Sequence, residues 1–188
     1  GVLVVLNNEI NSARDVTKAH ARTLGAFSAR GYGLLGIIGA DRVVYRRRIE
    51  RRHTLDSEFD LDQIETLPRV DVLLSYQDAA GDLVNAAVAA GADGLVIAGT
   101  GAGAISHAQR DAVQDALQHG VPVVITTRTG EGRVAPFPSL ENASNHALAV
   151  PLRIAGEDLA PVKARILLML ALTVTSSTEE IQRMFSDY

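Results

Sequence analysis

Between Asp71 and Thr126 short apolar runs alternate with helix-like stretches, and this rhythm constrains the fold more than any other feature of the chain. Asp71–Ser75 (DVLLS), Gly94–Ala98 (GLVIA) and Val121–Thr126 (VPVVIT) are apolar without a polar face, as strands buried on both sides are. Ala79–Ala90 is an Ala-rich helix stopped at Gly91. Ser106–His119 places Ala112, Val113, Ala116 and Leu117 on one side and stops at Gly120. Glycine just past a helix is a frequent terminator, because it enters left-handed backbone at no steric cost. His146–Leu152 reads as a short fourth strand, and Pro161–Thr173 as a helix with proline in its first turn. Ser177 and Glu180 have capping-box spacing at the head of a last helix, Ser177–Phe185. Such a series closes by right-handed crossovers into a parallel sheet with helices on both faces. Residues 69–188 are therefore expected to form a three-layer α/β domain.

The first third reads differently. Val2–Leu6 is a continuous apolar run of the kind buried in a parallel sheet, and Asn7–Ala26 is polar without a period. Leu34–Ile38 and Arg42–Arg46 form a hairpin pattern around Gly39-Ala-Asp41. Residues 47–68 alternate charges without periodicity and read as a linker closed by Pro68. A chain that starts at Gly1 and is in a buried-type strand by Val2 reads as part of a longer protein. Residues 1–46 are then the tail end of a larger α/β N-terminal domain.

Composition excludes several functions. Cysteine is absent, so neither a disulfide nor a thiolate site can form. The net charge of −4 offers no general attraction to nucleic acid or anionic lipid, and RILLMLAL (Arg165–Leu172) is too short to span a bilayer. The basic run Arg46–His53 lacks interleaved aromatics and is followed by Asp56, Glu58, Asp60 and Asp62, as in a solvated linker. His20, His53, His107, His119 and His146 are scattered, and none has a metal-ligand partner at helical spacing.

Two features bear on chemistry. Gly99-Thr-Gly-Ala-Gly103 with Ala104 fits the dinucleotide fingerprint between a strand and a helix. Its strand is not the first of the domain, however, and the next strand ends in Ile125-Thr-Thr-Arg128 with no acid for a ribose. A turn that lets backbones pack closely, or a non-nucleotide site, is the preferred reading. Lys18, in Val16-Thr17-Lys18, is by composition an exposed cation. At the carboxyl edge of a sheet, among hydroxyls, it would instead help deprotonate a nucleophile, as a base or as a fixed positive charge.

The stretch GVLVVLNNEINSARDVTKAHARTLGAF resembles the middle of bacterial L-asparaginases and glutaminase-asparaginases, the type II branch in particular. The resemblance continues through HTLDSEFD, LPRVDVLLSYQDA, GADGLVIAGTGAG, PVVITTRTGEG and KARILLMLALT to the closing EEIQRMFSDY. Only RVAPFPSLENASNHALAVPLRIAGEDLAP departs, being longer and differently composed. The resemblance implies two α/β domains, the C-terminal one flavodoxin-like over residues 69–188, and assembly as a tetramer of intimate dimers. It implies hydrolysis of the side-chain amide of L-asparagine, and often L-glutamine, with no cofactor, no nucleic acid and no membrane partner. Type II resemblance favours the periplasm over the cytoplasm.

In the family one Thr is the nucleophile, and a second Thr, an Asp and a Lys form a supporting triad. The V-T-K motif carries the triad lysine onto Lys18. The T-G-G-T-I and H-G-T-D-T segments with the other members occur nowhere in residues 1–188, so the chain alone is expected to be inactive. The family's C-terminal domain also lends the neighbouring subunit's site an Asn or Ser from the Gly-rich turn and a Glu further on. These positions fall at Ala104, which cannot hydrogen-bond, and nearest Glu141. Altered selectivity is the expected consequence. A nucleotide-binding domain, a tRNA-dependent amidotransferase relative and a non-catalytic remnant are the alternatives.

Overall fold

Leu3–Leu6 (β1) and Glu9–Ser12 (β2) pair antiparallel across Asn7-Asn8 in the computed structural model, which describes residues 1–136 and 153–188. Asn7 and Asn8 both have positive φ, 53° and 61°, the signature of a tight hairpin turn that asparagine tolerates. The described residues fall into two units, Gly1–Glu58 with Tyr188, and Phe59–Asp187. This boundary lies inside the 47–68 span read as a linker.

In the first unit Gly36–Ile38 (β5) and Val43–Tyr45 (β6) form the hairpin expected around Gly39, whose N–H donates to the Arg42 carbonyl at 2.9 Å. Together they make a four-stranded sheet of order β1-β2-β5-β6, antiparallel throughout. Here the sequence reading is corrected. Among the described residues Val2–Leu6 does not lie in a parallel sheet: β1 pairs antiparallel with β2, and Val2 and Val5 are 68% and 52% exposed. A five-residue apolar run carries no information about its neighbours, and the Asn-Asn turn reverses the chain before a crossover can begin. Thr17–Lys18 (β3) and Phe27–Ser28 (β4) form a separate two-stranded ladder.

The second unit is the expected α/β domain. Val70–Leu74 (β7), Gly94–Gly99 (β8), Val123–Thr127 (β9) and Ile154–Ala155 (β10) form a parallel sheet of order β10-β9-β8-β7. Asp82–Ala89 (α1) and His107–Gln118 (α2) cover one face, packing Val84, Ala87, Ala112, Val113 and Ala116 against Leu95, Ile97, Val123 and Ile125. Pro161–Leu172 (α3) covers the other, where a side chain at Gly94 would meet Leu168 and Leu172 at 3.0 and 3.1 Å. Thr178–Asp187 (α4) packs against α3 and β10. Leu95, Val96 and Ile97 are wholly buried, each contributing about 1.5–3 kcal/mol of transfer free energy, so the central strand anchors the domain. The span His146–Leu152, read as a strand, lies outside the described residues, and β10 begins two residues after it, at Ile154. Among the described residues no helix is long and apolar enough to cross a membrane.

Candidate active site

Lys18 is held by its own hairpin. Asp15 and Val16 donate backbone N–H groups to the Ser12 carbonyl at 3.2 and 3.0 Å, turning the chain out of β2, and buried Val16 anchors the turn. The lysine is therefore delivered by β2 and a turn, not directly by β1. In β3 it pairs with Phe27 of β4, as Thr17 does with Ser28. The Ala26 carbonyl accepts from Ala19 and His20 N–H at 2.7 and 3.2 Å. The His20 ring shapes the loop beyond, its Nδ1 accepting from the Arg22 and Thr23 N–H groups at 3.1 and 3.2 Å. Lys18 itself is exposed, its Nζ lying 5.9 Å from the centroid of the Phe27 ring. An accessible ammonium on a braced strand can act on a hydroxyl or carbonyl brought to it.

Ala104 belongs to the second unit, on a turn that closes on itself. Thr100 and Ala104 exchange backbone bonds, each at 2.8 Å, and Gly103 N–H donates to the Thr100 carbonyl at 3.0 Å. Three amides of the turn, those of Thr100, Gly103 and Ala104, are thus already spent and are not free to hold a pyrophosphate. The glycines serve close packing: a Cβ at Gly99 would lie 2.7 Å from the Gly103 carbonyl carbon, and Gly103 has φ 93° with Ile125 and Val134 beneath it. The turn borders a cleft of about 320 Å³ lined by Ser75, Tyr76, Thr100, Ala104, Ser106 and Arg110. At this cleft the exposed methyl of Ala104 offers neither donor nor acceptor.

The cleft floor is polar. Ser75 is 1% exposed, and its Oγ has no hydrogen-bond partner among the described residues. Ser106 caps α2, accepting from Gln109 N–H at 3.0 Å and donating to the Ala79 carbonyl. Arg153, which is not among the residues lining the cleft, is buried, and its pKa is lowered to about 10, first by loss of solvent and then by the charge of Arg110.

Glu141 lies outside the described residues. Of the other two candidates, Lys18 is in the first unit and Ala104 in the second. Sequence reading missed Phe27, which only the β3–β4 register sets opposite Lys18. It also missed Glu157, a buried carboxylate with φ 53° paired to Arg133, whose guanidinium pKa is raised by that hydrogen bond and charge. No local motif marks either one. Among the described residues no cluster of three or more His, Cys, Asp or Glu side chains is arranged to hold a metal ion.

The family model for the Glutaminase/Asparaginase C-terminal domain matches residues 69–185, and that for Asparaginase, N-terminal, matches residues 1–51. The chain is 42% identical to L-asparaginase 2 of Bacillus subtilis, over all of this chain and 48% of that protein. It is 37% identical to the glutaminase-asparaginase of Pseudomonas fluorescens biotype A, over all of this chain and 50% of that protein. The crystal structure of a probable cytoplasmic L-asparaginase from Campylobacter jejuni superposes with a TM-score of 0.92 at 39% identity, over all of this chain and 59% of that one. The chain spans about half the length of the curated relatives it matches. With both family domains matched in order, over the fold described above, the chain belongs to the glutaminase/asparaginase family.

Proposed function

We propose that this chain supplies the triad lysine and the C-terminal domain of an enzyme that hydrolyses the side-chain amide of L-asparagine, and of L-glutamine, to the acid and ammonia. The observation that carries this reading is the 42% identity to an L-asparaginase across the whole chain, with Val16-Thr17-Lys18 set on a braced hairpin. Residues 1–46 then complete the N-terminal domain, 47–68 link, and 69–188 form the C-terminal domain.

Amide hydrolysis through a hydroxyl proceeds in two steps. The hydroxyl oxygen adds to the amide carbon as its proton is removed, and ammonia leaves with an ester remaining. Water then cleaves the ester. A hydroxyl is a weak nucleophile at neutral pH, and Lys18 lowers the cost of its deprotonation, as base or as nearby positive charge. The threonines and aspartate that complete the site come from segments outside this chain. In an intimate dimer within a tetramer, Ala104 faces the neighbouring subunit's substrate without a hydrogen bond to give, and Glu141 is the second donated group.

Three measurements test the reading. The chain alone releases no ammonia from L-asparagine or L-glutamine, and turnover by the chain alone would contradict it. In the intact enzyme Lys18→Met lowers kcat by about 10²–10⁴-fold with the fold retained by circular dichroism, the size of a lost proton-transfer group. A variant with unchanged kcat removes Lys18 from the mechanism. Ala104→Ser shifts the ratio of asparaginase to glutaminase kcat/KM, and an unchanged ratio rejects the role of that turn in selectivity.

A further inference from the structure

We propose that Phe27 is a positioning residue for Lys18, holding its ammonium through the face of the aromatic ring. The consequence for turnover rests on the reading of Lys18 as the catalytic lysine, whereas the contact itself stands on geometry alone.

Lys18 and Phe27 are direct cross-strand partners, and Nζ lies 5.9 Å from the ring centroid, within reach of the ring quadrupole. The alignment does not depend on the side chains alone. Ala26, next to Phe27, receives the N–H groups of both Ala19 and His20, which pins the ladder beside the pair. A slip of one residue would send the lysine and the ring to opposite faces. Phe27 is partly buried and carries fewer rotatable bonds than Lys18, so the less mobile ring orients the more mobile cation. A lysine has four freely rotating side-chain bonds, and its ammonium samples many positions unless its surroundings select among them. An aliphatic residue at position 27 would touch the lysine methylenes but would not attract its charge. The ring therefore selects the rotamers that keep the ammonium over the hairpin, where a hydroxyl brought to the strand meets it.

The chain has only two lysines, Lys18 and Lys163, which makes the contact directly observable. In protein labelled with ¹³C-lysine, the two Cε–Hε signals are assigned with Lys18→Arg and Lys163→Arg. The Lys18 signal is expected upfield of Lys163 through the ring current. Phe27→Leu, of similar apolar character, is expected to abolish that displacement, and Phe27→Tyr to retain it, with backbone amide spectra reporting that each variant is folded. A Lys18 signal that is not displaced, or that stays displaced in Phe27→Leu, overturns the contact. In the intact enzyme Phe27→Leu is expected to lower kcat roughly two- to five-fold, the size of an exposed cation–ring attraction, with KM unchanged and Phe27→Tyr restoring the rate. An unchanged kcat in Phe27→Leu overturns the positioning role. If instead Lys18→Met leaves turnover intact, the catalytic reading of Lys18 fails while the lysine spectra still decide the contact.

Discussion

His20 shows how much a single residue's role depends on what surrounds it. In the sequence it is one of five scattered histidines without a metal partner. In the folded chain its Nδ1 takes the N–H groups of Arg22 and Thr23 and so braces the loop beyond Lys18. His20→Ala is expected to speed amide exchange at Arg22 and Thr23 and to cost about 0.5–1 kcal/mol, the net worth of an exposed hydrogen bond. His20→Asn, whose side-chain oxygen can accept from the N–H two residues on, is expected to preserve much of the protection at Arg22. Equal exchange in both variants contradicts the role. Gly103 was legible in part: the Gly-rich turn was visible and close packing was its preferred reading. Which glycine meets Ile125, and which amides Thr100 consumes, required the folded turn.

The helices and strands of the second unit were largely readable, because their signals are local. Gly91 and Gly120 take φ 81° and 78° where the two helices stop, and Ser106 and Ser177 accept from the N–H groups of Gln109 and Glu180. The start of α1 was read early. Ala79–Gly81 looks helical by composition, but Gly81 passes so close to α2 that a Cβ there would lie 2.6 Å from the Ala108 carbonyl oxygen. The Ala79 carbonyl, in turn, takes the Ser106 hydroxyl. Sheet edges were not readable at all. On the outer side of β10, the Gln182 amide of α4 accepts from Ala155 N–H at 2.7 Å and donates to the Ala155 carbonyl at 3.3 Å, standing in for a further strand. At β7 the Arg165 guanidinium donates to the Val70 carbonyl at 2.8 Å. Gln182→Met, which keeps the side chain's length, leaves both Ala155 groups without their partner. It is expected to lower stability by about 1–3 kcal/mol in urea unfolding, and a change below measurement error would show that the edge is satisfied another way.

At the scale of the whole chain the two units differ in how they bury apolar surface. Cross-strand partners share a face, so Leu3, Val5, Ile38, Val43 and Tyr45 lie together on one side of the first sheet, all exposed. The central strands of the second unit have no such surface: Leu95 to Ile97 and Val123 to Ile125 are completely buried. Local opening costs least where few apolar contacts are lost. Hydrogen exchange is therefore expected to be slowest in β8 and β9 and fastest in β1 and β6 of the two sheets. Comparable protection in β1 and β8 would refute this ordering of stabilities.

By itself the sequence determined the strand–helix rhythm of residues 69–188, the helix stops and caps, the β5–β6 hairpin and the family resemblance that marks Lys18. Each of these is written in neighbours a few residues apart, where periodicity, glycine and capping hydroxyls act. Only the tertiary structure decided that β1 pairs antiparallel with β2, that Phe27 stands against Lys18, that Gln182 closes a sheet edge, and that the Gly-rich turn spends its own amides. Those outcomes depend on which segments meet and in what register. Chain reversal at Asn7-Asn8 and the pairing of β3 with β4 set them, and an apolar run or a lone cation reads the same whichever partner it finds.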